Sequence, residues 1–225
     1  KMLNLLMYFA LSAAPIAILL YYYWTKDHGE KEPMPLMKKV FWHGLLIVIP
    51  VGILEYFLLV LLQIAGIESG TVAYGFLVPF FLVAIPEEFG KLHVVKKYAY
   101  DHPKFNEVMD GITYCIIASM GFALAENILY IMLYGSSAGI LRFFTAVPAH
   151  ALFSGLMGFY IGRAKFDKKN EKELIQRGLF YGVFFHGFYD FLLMSGVPIL
   201  TLSVFPLLIY MWWKLNHEIK MVQRE

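Results

Sequence analysis

With 225 residues, 59% of them apolar and only 16% charged, the chain is too poor in charge for a water-soluble domain, and a mean hydropathy of +0.60 places it among multi-span membrane proteins. A net charge of +2 gives no electrostatic footing for nucleic acid, and no nucleic-acid or nucleotide partner is expected. The single cysteine, Cys115, excludes an intramolecular disulfide framework and a cysteine-based zinc site; within its apolar run it reads as a small buried hydrophobe.

A membrane span needs about 20 apolar residues, and seven segments are read as spans. The first, 2–24, is long enough to cross, and Tyr21-Tyr22-Tyr23-Trp24 makes a poor signal-peptidase site, so the expectation is a retained helix. The second, 40–63, carries Glu55. The third, 71–95, is uncharged until Pro86-Glu87-Glu88 and then Lys91. The fourth, 109–134, holds Glu126 and Asn127, and the fifth, 140–162, holds His150. The sixth, 177–195, contains His186 and Asp190, and the seventh is 197–214. No repeat, low-complexity tract or shift of composition divides the chain. The expectation is one integral membrane domain over 1–225, an all-α polytopic bundle.

Orientation follows from where lysine and arginine fall. Lys26, Lys31, Lys38 and Lys39 follow the first span, Lys96, Lys97 and Lys104 the third, and Arg163, Lys165, Lys168, Lys169, Lys172 and Arg177 the fifth. Lys214, Lys220 and Arg224 end the chain. Of the 19 basic residues only Lys1, Arg142 and the intraspan Lys91 lie elsewhere. The bias places the N-terminus outside and the C-terminus in the cytoplasm. Trp24, Trp42, Tyr98, Trp212 and Trp213 fall at the ends read as cytoplasmic, where amphipathic rings favour the headgroup layer. Gly158-x-x-x-Gly162 and Gly178-x-x-x-Gly182 let backbones approach in lipid and predict tight packing of the fifth span on the sixth.

Six ionisable residues stand out: Glu87, Glu88, Glu126, His150, His186 and Asp190, spread over four apolar segments. A charged side chain at the bilayer centre costs roughly 2.5–3.5 kcal/mol on insertion scales, so the group predicts a polar, wet site between helices. Lys91 lies one helical turn from both Glu87 and Glu88 and is placed to neutralise the pair. Two carboxylates this close in a low dielectric are expected to share a proton, which suits a water-activating base beside an acid. Pro86 removes a backbone hydrogen bond and is expected to kink the helix or open space. His186 and Asp190, four apart, set a carboxylate to orient an imidazole. Each has a purely structural counterpart: an ion pair with Lys91, an interhelical hydrogen bond at Glu126 beside Asn127, a satisfied histidine at His150. Counted along straight helices, His150 and His186 fall near the midplane, Glu87 toward the cytoplasmic half and Glu126 toward the outer half. Glu126 therefore fits a common site least well. Glu55 is a weaker candidate.

No His-Glu-x-x-His helix is present. Ser154 lacks an independently supported histidine partner, and Tyr189-Asp190 lacks a matching Gly-x-Gly-Asp. What remains is carboxylate and imidazole activation of water for attack on a carbonyl. A non-catalytic membrane binding or immunity protein is a different reading of the same residues. A proton-coupled transporter is a third, disfavoured by the absence of an inverted repeat.

Several motifs stand in order along the chain: Glu87-Glu88-x-x-Lys91, Asp110-Gly111, Gly121-Phe122-Ala123-x-x-Glu126-Asn127-Ile128-Leu129-Tyr130, Pro148-x-His150, Met157-Gly158-Phe159-Tyr160 and His186-Gly187-x-Tyr189-Asp190-Phe191, with the earlier Asp27 and Glu32-Pro33. Together they resemble the PrsW family of bacterial intramembrane proteases. The resemblance covers nearly the whole chain. It implies a multi-pass protein of the bacterial plasma membrane that cleaves a single-pass membrane protein, in the best-known case an anti-sigma factor during envelope stress. It also implies a distant likeness to the CAAX prenyl endopeptidases and the bacteriocin-processing or self-immunity proteins, in which the first glutamate of the pair and a later histidine activate water. On that pattern Glu87 is the general base, and His186 with Asp190 holds the oxyanion. The prenyl-protease Phe-x-x-x-His is here Phe122-x-x-x-Glu126, which leaves His150 to replace the missing histidine. The set Glu87, Glu126, His150 and His186 has the donor types for a divalent metal such as zinc. A metal-free site is slightly favoured, since no helix carries a recognised zinc spacing.

Overall fold

The computed structural model describes residues 2–224, and their side chains from residue 7 onward; Lys1, counted above on the outer side, lies outside the described residues. Among the described residues the protein is helical, without a strand. Helix α1 (Met2–Lys26) leads into α2 (Met34–Leu46), α3 (Val48–Ile64) and the short α4 (Val72–Leu77). A π-helical stretch (Val78–Ala84) joins α4 to α5 (Ile85–Val95), and a second (Lys96–Tyr100) extends α5. Then come α6 (Val108–Tyr134), α7 (Ser136–Phe144), α8 (Ala146–Phe166), α9 (Glu171–Met194), α10 (Pro198–Leu202) and α11 (Val204–Val222).

Prolines place the breaks. Helices α2, α7 and α10 end at Leu46, Phe144 and Leu202, each four residues before Pro50, Pro148 or Pro206. A proline has no N–H for the carbonyl four residues back and its ring crowds that group. The expected fifth span is thus two helices, α7 and α8, meeting at Thr145 (φ −121°, ψ −69°). At Pro86 the chain takes another route: the Ile85 N–H reaches Phe80 O, five residues back, and the widened turns absorb the proline within a continuous rod.

Six helical stretches are long and apolar enough to cross a membrane: 7–26, 34–64, 72–100, 108–134, 136–166 and 198–222. The expected seventh span, 197–214, falls within the last of these stretches, and it is the expected sixth, 177–195, that is not among them; it lies in α9, a helix of 24 residues packed beside α8. Arg177, His186 and Asp190 make α9 more polar than the other six. The connections read as cytoplasmic gather at one end. Lys104 and Asn106 bond Glu30, Lys165 bonds Tyr100 O, the Tyr100 hydroxyl donates to Glu171 at 2.8 Å, and Gln223 bonds Lys26 O.

Helix α6 is the axis, with α2 and α8 packed against it and buried over most of its length. Glycines set these crossings. A Cβ on Gly44 would lie 2.1 Å from Ala118 O, one on Gly121 2.0 Å from Phe41 O, and one on Gly158 2.4 Å from Gly111 O. The pair Gly158 and Gly162 therefore seats α8 on α6, at Gly111 and Val108, and not on α9 as expected. Gly178 does bring α9 onto α8, with its Cβ position 2.8 Å from Met157 O. Gly158→Ala is expected to force α6 and α8 apart at a cost of about 1–3 kcal/mol, read as a lowered unfolding temperature in detergent; an unchanged temperature would mean the crossing is not tight.

The connection after α1 docks on the start of α6. Glu107 and Asp110 form a reciprocal capping box there, and the buried Tyr114 hydroxyl donates to Glu32. Burial, and then the Asp110 carboxyl beside it, push Glu32 up to about 9 from an ordinary 4.5, against the pull of Tyr114. Glu32 Oε1 and Asp110 Oδ1 have no other partner, so one proton shared between the carboxyls satisfies both. The folded protein holds this proton more tightly than the unfolded chain. Its stabilisation is complete below about pH 4.5 and is lost as the pH rises toward about 9. Glu32→Gln is accordingly expected to melt above wild type near pH 8, the gap closing toward pH 4.5 in detergent unfolding scans.

Candidate active site

The widened turns before Ile85 deliver Glu87 and Glu88 into the bundle at the first turn of α5, where Glu87 is 4% exposed and Glu88 fully buried. Lys91, one turn on and also fully buried, puts its Nζ 3.0 Å from Glu87 Oε2, 2.7 Å from Glu88 Oε1 and 3.0 Å from His150 Nδ1. The ammonium also lies 4.4 Å from the Phe122 ring centre. An ammonium has three protons, and here each has an acceptor. Two buried carboxylates are thereby offset by one cation, and an imidazole from another helix is tied to them.

His150 reaches the cluster from α8, just past the break at Thr145. Ser119 of α6 anchors the main chain there by donating to His150 O at 2.8 Å. The His150 Nε2 meets Glu126 Oε2 at 2.8 Å. Glu126 is held on its other flank by Arg142 of α7, whose Nη2 lies 2.9 Å away, whose Nε donates to Asn127 Oδ1 at 2.6 Å and whose guanidinium covers the Tyr130 ring at 4.0 Å.

From α9, His186 Nδ1 lies 2.9 Å from Glu88 Oε1 and 3.9 Å from Glu87 Oε2, while Nε2 is 3.3 Å from Asp190 Oδ2. Its ring stacks on Phe153 at 4.8 Å and 14°, which fixes the imidazole plane. The close approach of α9 depends on Gly182, where a Cβ would sit 3.3 Å from Glu88 Oε2. Ser154 donates to Glu88 at 3.4 Å; it serves the carboxylate and has no histidine partner among the hydrogen bonds it makes.

All six candidate residues thus converge. Glu87, Glu126, His150, His186 and Asp190 line a cavity of about 840 Å³, with Glu88 and Lys91 directly behind. Glu126, the poorest fit by depth, joins through His150. Counting the rise along straight helices ignores both the widened turns of 78–84 and the reach of a glutamate side chain. The cavity also takes in Glu55 on α3 and Arg142 on α7. Glu55 was a weaker candidate in the sequence, and Arg142 was not singled out there. The available hint for Arg142 was its place as an isolated cation on the weakly charged side.

The donor atoms of Glu87, Glu126 and His150 lie within 4.8 Å of one another, as do those of Glu87, Glu88 and His186. Two carboxylates and an imidazole are donors that zinc accepts, and the first set faces the cavity, so the residues fit a divalent ion.

A helical membrane bundle with carboxylates and imidazoles converging on an intramembrane cavity has the groups that a membrane-embedded hydrolase needs to activate water. Residues 32–213 match the family described as PrsW family intramembrane metalloprotease. The chain is 40% identical over 182 residues to "Protease PrsW" of Geobacillus kaustophilus (strain HTA426), covering 81% of this chain and 77% of that one. It is 33% identical over 202 residues to "Protease PrsW" of Bacillus subtilis (strain 168), covering 89% and 88%. It is 30% identical over 211 residues to "Protease PrsW" of Halalkalibacterium halodurans, covering 94% of each. No solved structure matches. The chain belongs to the PrsW family: it is a multi-pass protease of the bacterial membrane. The family's description as a metalloprotease weighs toward the metal-holding reading of the site.

Proposed function

We propose that the protein is an endopeptidase that hydrolyses a peptide bond of a single-span membrane protein within the bilayer, an anti-sigma factor being the kind of substrate implied, as the opening step of regulated proteolysis. The observation that carries this is the cavity of about 840 Å³ lined by Glu87, Glu126, His150, His186 and Asp190 among apolar helices. It admits an extended peptide and water to groups that lipid would otherwise seal.

Glu87 is the general base, taking a proton from the attacking water. Glu88 is the fixed acceptor behind it, bound by Lys91 and His186 and so withdrawn from chemistry. His186, gripped firmly at Nδ1 by Glu88 and loosely at Nε2 by Asp190 at 3.3 Å, turns its Nε2 proton toward the developing oxyanion. His150 and Glu126, braced by Arg142, form the opposite wall. Glu87, Glu126 and His150 are the residues that would hold a divalent ion such as zinc, which when bound supplies a Lewis acid for the scissile carbonyl and for water. One observation favours a metal-free variant of the same reaction: Lys91 Nζ already sits 3.0 Å from both Glu87 and His150 as a resident cation.

Elemental analysis of the purified protein, run with cleavage assays on single-span substrates, tests both readings. Stoichiometric metal, with activity lost to chelator and restored on refilling, is the expected result. Cleavage by metal-free protein in chelator would move the proposal to glutamate and histidine alone. Absence of cleavage of any single-span substrate would overturn it.

A further inference from the structure

The polar atoms around the cavity are largely consumed by one another, with two exceptions. Glu55 Oε1 on α3 is buried with no hydrogen-bond partner, and so is Arg142 Nη2 on α7, whose ion pair with Glu126 at 2.9 Å is not aligned as a hydrogen bond. Both residues line the cavity, and the two helices contribute to different walls of it. The guanidinium is otherwise engaged with Glu126, Asn127 and Tyr130. Among the described residues Glu55 finds no hydrogen-bond or ion-pair partner. A carboxyl oxygen left without a partner inside a membrane protein is costly and calls for a ligand.

The rest of the α3 wall fits one kind of ligand. Val48, Gly52 and Glu55 recur at helical spacing along the cavity face. At Gly52 an added Cβ would have nothing within 4 Å. Its lack of a side chain therefore answers to no neighbour within the protein, unlike the glycines of α6 and α8. The wall presents a bare strip of main chain beside a free acceptor. A membrane helix must open its internal hydrogen bonds before a protease can reach a carbonyl, and the released N–H groups find no water in hydrocarbon.

Resting on the protease reading, we propose that the α3 wall is the substrate-binding surface. Glu55 accepts a main-chain N–H of the unwound substrate, and Gly52 lets that segment lie against α3 opposite the catalytic groups. The partner is recognised by its peptide backbone, which makes Glu55 a binding residue and not a proton-transfer residue.

The test measures binding separately from turnover. The probe is a synthetic single-span peptide of about 20 apolar residues with a central glycine pair, and a series in which one amide N–H at a time near the centre is replaced by an ester oxygen. Affinity is read by fluorescence transfer to Glu87→Gln protein in lipid nanodiscs, with and without a second change. Glu55→Met keeps the length and removes the acceptor, and is expected to weaken binding up to about tenfold, the usual effect of losing one hydrogen bond. Adding Glu55→Gln instead, which retains an acceptor oxygen, recovers most of that loss. One ester position should show a similar loss, and the two losses should not add. Gly52→Leu, for which the fold has room, should weaken binding at an unchanged unfolding temperature. Additive losses, an ester series without a position-specific effect, or full affinity in both Glu55→Met and Gly52→Leu would each overturn the proposal. Failure of the protease reading looks different: the coupling of Glu55 to one ester position persists while wild type cleaves no single-span peptide.

Discussion

Glu87→Gln is expected to lower cleavage by about 10²–10⁴-fold, the usual worth of a positioned general base, while the detergent-solubilised protein keeps its wild-type yield and unfolding temperature. The fold should survive because the substituted amide still offers an oxygen to Lys91, and Lys91 retains Glu88 at 2.7 Å and His150 at 3.0 Å. The buried charge balance even improves, from two carboxylates against one ammonium to one against one. Cleavage should fail because an amide cannot take a proton from water, and it is a poorer metal donor if an ion is held with Glu126 and His150. Cleavage assays in proteoliposomes beside a thermal scan separate the outcomes. Loss of the fold would make Glu87 a structural member of the ion pair, and full activity would remove it from the mechanism.

Lys91→Met is expected to be the most destabilising single change in the site, by about 3–5 kcal/mol, because it leaves two buried carboxylates without their cation. Both Lys91 and Glu88 are fully buried, so neither water nor headgroups can substitute. His150 would also lose the donor at its Nδ1. The measurement is yield and unfolding temperature in detergent for Lys91→Met and for Lys91→Met with Glu88→Gln. The double variant should recover part of the stability, since it lowers the unpaired charge, and should remain inactive. A stable and active Lys91→Met would show that another cation balances the pair.

The span pattern, the all-helical class and the six polar residues were legible from residue type and period alone. A long apolar run must be helical in lipid, since every backbone group has to be satisfied within its own segment, and an ionisable residue inside such a run is conspicuous. The pairing of His186 with Asp190 and of Lys91 with both glutamates was equally accessible, being a matter of one helical turn. Pro50, Pro148 and Pro206 marked the breaks, yet whether a proline ends a helix or is absorbed, as Pro86 is by widened turns, depends on what packs around it.

Partners across helices were not legible. Lys91 to His150 spans 59 residues, and His186 to Glu88 spans 98. Such contacts depend on which helices cross closely, and that is decided by glycines whose partners lie elsewhere in the chain. Gly158 and Gly162 look like a seat for the next helix but serve α6, because Gly111 there offers the matching bare surface. The recruitment of Arg142 to Glu126 and the exposure of Glu55 to the cavity have the same origin. Residue type and spacing within one helix settle what chemistry the chain carries and how each segment folds; the crossing of separate helices, governed by steric fit between distant residues, settles which of those groups meet and which remain free for a substrate.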